Sequence, residues 1–253
     1  MNIVLTRCCR LLAAAIVSSS VLVTSAQMNH AGTFPERGPA ANTKRQDVVS
    51  TNELRAPSDA KMAVHHAREA LERRRYAEAK KHIQRALEIY PDYALALQLR
   101  GTLELREQSL EEACADFEQA IQLDPNFGAS YLSLGAAYNR LGHFEEAVLP
   151  LSRAAAILPN AWTVQYEMAL AYLGTGKYDA ALDAISRAEK NNPVEPDNRS
   201  SVSYIRAHVL LELKDYAAAK VAFEQSIRQD PQGHFAKLSQ ERLERLSAES
   251  NEK

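Results

Sequence analysis

Cysteine is nearly missing from this chain: of 253 residues three are Cys, and Cys8 and Cys9 sit at the very start between Arg7 and Arg10. Cys114 is the one thiol beyond that segment, so an internal disulfide framework is excluded and packing must supply stability in an oxidising compartment. Cys114 follows Ala113 in an amphipathic helical pattern and reads as a small, partly buried helix residue. Nine Gly and ten Pro are too few for the many tight turns of a strand sandwich, which favours helices. The formal charge of −2 lacks the basic excess of a nucleic-acid binder, and nothing in the balance selects a charged partner. Catalytic signatures are lacking too: there is no Gly-rich phosphate loop, no Gly-x-Ser-x-Gly elbow and no paired nucleophile and base. His30, His65, His66, His82, His143, His208 and His234 place no two imidazoles on one helix face at ligand spacing, so neither a metal nor another cofactor is expected. Glu111, Glu112, Glu145 and Glu146 stand at expected helix starts, where they favour the helix dipole instead of forming an acid/base pair. No enzyme is expected.

What is present begins with an N-terminal export pattern. Arg7 and Arg10 precede an apolar run from Leu11 to Val23, which closes on Thr24, Ser25 and Ala26. This reads as a secretory signal over residues 1–26, cleaved after Ala26, which places the mature chain in the periplasm or outside the cell. A retained anchor is the alternative. It is opposed by Ser18, Ser19 and Ser20 and by a run shorter than the ~20 apolar residues that span a bilayer, so no stable membrane insertion is expected after cleavage. Lipidation would need a cysteine after the apolar run, not before it. Loss of Arg7 and Arg10 takes the formal charge to −4. Residues 27–57 hold Gly32, Pro35, Gly38, Pro39 and Pro57 among polar residues and read as a disordered linker.

From Ser58 a helical period sets in. Ser58 and Asp59 are candidate helix caps. Ala63, Ala67, Ala70 and Leu71 recur at helical spacing, a second helix begins near Tyr76, and Pro91 stops it. The unit then repeats, closing at Pro125, Pro159, Pro193 and Pro231. Shifting the sequence by 34 residues lays Gly135 on Ala169, Tyr138 on Tyr172, Gly142 on Gly176, Phe144 on Tyr178 and Ala147 on Ala181. A fixed period of this length marks a stacked repeat protein. The last interval is longer because of an insertion around 194–199, where Asn198, Arg199 and Ser200 form a formal glycosylation sequon. Ala67, Gly101, Gly135, Ala169 and Ala207 are small in every unit, as are Ala79, Ala113, Ala147, Ala181 and Ala219. Such residues let two helices approach at the close end of the usual ~8–10 Å range. Tyr76, Leu110, Phe144, Tyr178 and Tyr216, with Ile83, Phe117, Leu151, Ile185 and Phe223, are expected to fill the space around those crossings.

With this period, these small residues, these aromatics and these terminal prolines, the chain resembles the tetratricopeptide repeat family in five copies over about two-thirds of its length. The resemblance implies an all-α fold: a right-handed superhelical solenoid of antiparallel helix pairs with a C-terminal capping helix. The solenoid is expected over 58–247, with repeats near 60–93, 94–127, 128–161, 162–195 and 200–233, a cap over 234–247 and a frayed tail over 248–253. Departures fall at His66 (usually apolar), Arg74 (often a turn Gly), Glu104 (usually aromatic) and Pro150, which removes a helical hydrogen bond.

The family uses the first helix of each pair to line a concave groove. Mapped here, the candidate groove residues are Leu132, Asn139, Tyr166, Leu170, Leu173, Tyr204, His208 and Leu211. The Lys/Asn/Arg clamp of family members that hold acidic chaperone C-termini is not supplied by any three consecutive repeats. The implied function is a non-catalytic scaffold that binds a protein or peptide in the groove, with a role in envelope assembly, secretion or pilus biogenesis. The alternative is a structural module that self-associates through its end faces or C-terminal helix.

Overall fold

A computed structural model of the chain describes residues 51–191 and 195–251. Among these residues it is all helix, with twelve helices and no strand. A short α1 (Thr51–Arg55) leads into five hairpins and a closing helix. The pairs are α2 (Ser58–Glu72) with α3 (Tyr76–Ile89), α4 (Ala94–Glu107) with α5 (Leu110–Leu123), and α6 (Gly128–Leu141) with α7 (Phe144–Ile157). Then come α8 (Trp162–Gly174) with α9 (Tyr178–Lys190), α10 (Pro196–Glu212) with α11 (Tyr216–Gln229), and finally α12 (His234–Asn251). From α2 onward each helix packs on its chain neighbours, and α1 reaches α4. First helices of successive pairs also touch one another, whereas second helices make no comparable contact. The pairs therefore splay on the second-helix side, and α2, α4, α6, α8 and α10 line the inner face of an all-α solenoid.

The hairpins close where the small residues stand. Ala67, Ala169, Ala207 and all five alanines from Ala79 to Ala219 have no exposed surface, and Phe117, Leu151, Ile185 and Phe223 are equally enclosed. A Cβ placed on Gly101 would lie 2.8 Å from the Phe117 ring, and one on Gly135 would overlap Leu151 Cγ outright. Glycine at these two crossings is therefore a requirement of distance, not of backbone angle. The loops repeat as faithfully. Arg74, Gln108, Gly142, Gly176 and Lys214 all have positive φ. The next residue donates its N–H to the same upstream carbonyl in every copy: Arg75 to Ala70 O, Ser109 to Glu104 O, His143 to Tyr138 O, Lys177 to Tyr172 O and Asp215 to Leu210 O, at 2.8–2.9 Å. This is the Schellman closure of a helix C-terminus. Arg74, Gln108 and Lys214 adopt it without glycine, at a cost of about 1–2 kcal/mol each.

Several expectations are corrected. Ser58 is already helical; Pro57 stands at the cap position with φ −57°, and no side chain caps α2. Part of the expected linker is folded: Asn52 of α1 accepts from Ala94 N at 3.0 Å and donates to Asp92 O at 2.7 Å, capping α4 from some forty residues away. Tyr216 is 60% exposed, because no further pair succeeds α11 to cover its ring as α8 covers Phe144. Helix α12 continues past Ser247 to Asn251. α7 continues through the buried Pro150, in keeping with a proline that costs one hydrogen bond without ending the helix. Ser200 of the formal sequon is enclosed in α10 and bonded to Ser226 O at 3.0 Å, with Asn198 half-buried on the same helix. Cys114 is buried and its thiol is pushed up to about 11 by that burial and by Glu118 and Glu111, an unreactive setting. Pro193 and the start of the insertion, like residues 1–50, lie outside the described residues.

Gly135→Ala tests the close crossing. Overpacking against an immobile Leu151 exceeds the roughly 1 kcal/mol gain in helix propensity. The expected net loss is about 1–2 kcal/mol in urea unfolding; unchanged stability would show that the crossing has room.

Candidate partner-binding face

The eight expected groove residues divide into two groups. Leu132 on α6 and Tyr166, Leu170 and Leu173 on α8 are half-buried and lie on adjacent first helices. Asn139 is 6% exposed and forms part of the floor: its Nδ2 donates to Glu167 O at 2.9 Å and to Glu167 Oε2 at 2.8 Å. Beside it Arg140 Nη1 donates to Leu105 O at 3.1 Å, joining α6 to α4. Burial raises the Glu167 carboxyl above its ordinary range, against the Asn139 hydrogen bond and the Arg140 charge. The same burial lowers Arg140, with Arg106 adding to it and Glu167 opposing. Tyr166 packs edge-on to Trp162 at 6.0 Å, and its hydroxyl is raised by burial. An apolar strip of Leu and Tyr thus runs above a buried polar layer that ties the first helices together. Glu167 and Arg140 were not picked out from the sequence, although their repeat positions adjoin those of Tyr166 and Asn139.

The second group, on α10, is buried at Tyr204 and half-buried at His208 and Leu211. Tyr204 is 5% exposed, with its ring 4.6 Å from His208, 5.9 Å from Phe223 and 5.5 Å from Phe235 of α12. Burial and the Arg242 charge lower His208 to about 4, so it is neutral within this aromatic cluster. The closing helix lies where a sixth repeat would begin and takes Tyr204 into the core, while His208 stays half-buried with its Nε2 enclosed. Leu211 on α10 is half-buried. Of the eight expected groove residues, Leu132, Tyr166, Leu170 and Leu173 on α6 and α8, with His208 and Leu211 on α10, are the half-buried ones.

A recess lies between α3 and α4. It encloses 420 Å³ and is lined by Ile83, Leu87 and Leu103 together with Lys80, Arg100 and Glu104. Glu104 occupies the position of Tyr138 in the next pair, where the ring packs against the hairpin core and its hydroxyl donates to Glu118 Oε1 at 2.9 Å. The shorter carboxylate leaves that volume empty. Arg100 holds Asp116 through two bonds of 2.6 and 2.5 Å, and Glu104 Oε2 is buried without a hydrogen-bond partner. Desolvation and the Asp116 charge push Glu104 up to about 7, with Arg100 opposing. A carboxyl raised in the folded state stabilises the fold at low pH, and that contribution is lost as pH rises from about 4.5 through 7. With partial solvent access the loss is on the order of 1–2 kcal/mol. Glu104→Gln is expected to match the parent's Tm near pH 4.5 and to exceed it above pH 7; parallel Tm curves across that range would place no proton on Glu104.

A tetratricopeptide repeat family model matches residues 65–127 and 166–234, and a second such model matches 117–148. Among curated proteins none matches. MamA from Desulfovibrio magneticus, from its residue 41 onward, superposes with a TM-score of 0.60 at 17% identity, covering 70% of this chain and 97% of that one. A thermophilic TPR protein of Thermus thermophilus gives 0.56 at 18%, covering 68% and 92%. Pseudomonas aeruginosa pilF gives 0.60 at 20%, covering 73% and 86%. At such identities the likeness is one of fold.

Proposed function

Because the chain belongs to the tetratricopeptide repeat family, whose members are generally scaffolds for other proteins, we propose that it is an exported, non-catalytic scaffold holding a partner on its inner face. One observation carries this reading: Leu132, Tyr166, Leu170 and Leu173 stand half-buried on the adjacent first helices α6 and α8, over a floor fixed by Asn139 and Glu167. An apolar strip of this kind suits an extended peptide or an amphipathic helix, with aromatic side chains as anchors. Export rests on the N-terminal pattern ending at Ala26, and a role in envelope assembly or secretion accords with that location. No helix among the described residues is long and apolar enough to cross a membrane.

Placing a photo-crosslinking leucine analogue at Leu170, on the inner face, and separately at Leu149, 70% exposed on second helix α7, tests the surface in the native host. A discrete crosslinked protein from Leu170 and none from Leu149 is expected, on a mature chain beginning at Gln27. The reverse pattern rejects the inner face, and a full-length mass rejects cleavage.

The alternative of self-association draws on a different observation. Tyr216 and Val221 are 60% and 57% exposed on α11, in the last hairpin. If either of these exposed side chains joins two copies through this end of the array, sedimentation shows a concentration-dependent mass that Tyr216→Ser with Val221→Lys abolishes. A monomer at all concentrations removes this reading.

A further inference from the structure

We propose that the first hairpin carries a site for a late first-row divalent cation, of the Zn²⁺ or Cu²⁺ class, formed by His65, His66 and Glu69 of α2 with His82 of α3 beside them. A ligating atom from each of His65, His66 and Glu69 lies within 4.8 Å of the others. His66 Nδ1 already faces Glu69 Oε2 at 3.8 Å. The His65 and His66 ring centroids are 5.8 Å apart, and those of His66 and His82 are 5.3 Å apart across the hairpin. With metal–nitrogen bonds of about 2.0–2.1 Å, two imidazoles on one tetrahedral ion have centroids roughly 5 Å apart. Small side-chain rotations therefore suffice to bring these groups onto one ion.

The repeat itself supplies an internal control for this geometry. One period on, the positions of His66 and His82 hold Arg100 and Asp116, whose side chains meet at 2.5 Å. The hairpin thus brings these two positions into direct contact, and in the first pair both are imidazoles. The surrounding charges fit a ligand set as well. Arg73 holds Glu69 Oε1 at 2.7 Å and leaves Oε2 toward the histidines. Glu78 Oε1 stands 3.9 Å from His82 Nε2 and adds a further negative charge beside that ring. Imidazoles with one carboxylate and no thiolate select zinc or copper over magnesium and calcium. His66 is half-exposed and Glu69 and His82 partly so, which leaves the ion an open path. Bound there, it would tie α2 to α3 at the N-terminal end of the solenoid.

Calorimetry of the full, tag-free chain with Zn²⁺, with Mg²⁺ as control, tests the site. One Zn²⁺ per chain and a higher Tm in its presence are expected. His66→Gln should weaken binding by about tenfold or more, the pair His66→Gln with His82→Gln further still, and His143→Gln should leave it unchanged. Co²⁺ should give visible d–d bands without a thiolate charge-transfer band. No saturable Zn²⁺ uptake, uptake unchanged in the double variant, or a thiolate band placing the ion on cysteine would each overturn the proposal. These side chains are exposed or partly so, and a Glu69→Gln variant gives the same reading should a histidine change disturb the helix.

Discussion

The structure depends on one distance, the separation of two antiparallel helices at the crossing where Gly or Ala on the first meets a large side chain rooted on the second. At Gly135 there is no room for a methyl group beside Leu151, and at Gly101 none beside Phe117. Ala169 and Ala207 hold the same position with Ile185 and Phe223 opposite, so the crossing admits a methyl there. The angle of each hairpin is set by these contacts. Because the same contact recurs five times, small differences between copies determine the path of the whole solenoid.

A linear stack has two ends, and each end here is closed by a local device. At the N-terminal side α1 sends Asn52 to the start of α4, satisfying an orphan N–H and a loop carbonyl together. At the C-terminal side α12 lays Phe235 on Tyr204, which is buried. That closure defines where the inner face ends. Side chains that a strict repeat would present to a partner become core as soon as a further helix occupies the next position.

Much of this was legible in the sequence because the period is carried by residues whose only role is packing. Gly135, Ala147, Leu151 and Ala154 specify the crossing wherever they occur, and the proline after each second helix marks the boundary. Three things were not legible. The capping by Asn52 joins residues some forty apart, which no local pattern announces. The burial of Tyr204 depends on the helix beyond the last repeat, and its own repeat position reads as groove. The meeting of His66 with His82 requires the hairpin, since neither lies at helical spacing from the other. In each case the missing information was tertiary.

The departures from the repeat are concentrated in its first two copies, and the regular copies show what they replace. Tyr138 fills the space that Glu104 leaves open, and its hydroxyl bonds to Glu118, whereas Glu104 carries a buried, partnerless oxygen. Leu134 and Pro150 are apolar where His66 and His82 are not. A buried polar oxygen such as that of Glu104 costs stability, and Tyr138 in the third copy shows that the fold does not need one. The inner face of α6 and α8 therefore belongs to the regular part of the array, whose rigidity comes from packing and from the Asn139–Glu167–Arg140 layer. The chemistry that distinguishes this chain from a plain stack of repeats sits instead in the first two hairpins, on side chains that packing alone would have made apolar.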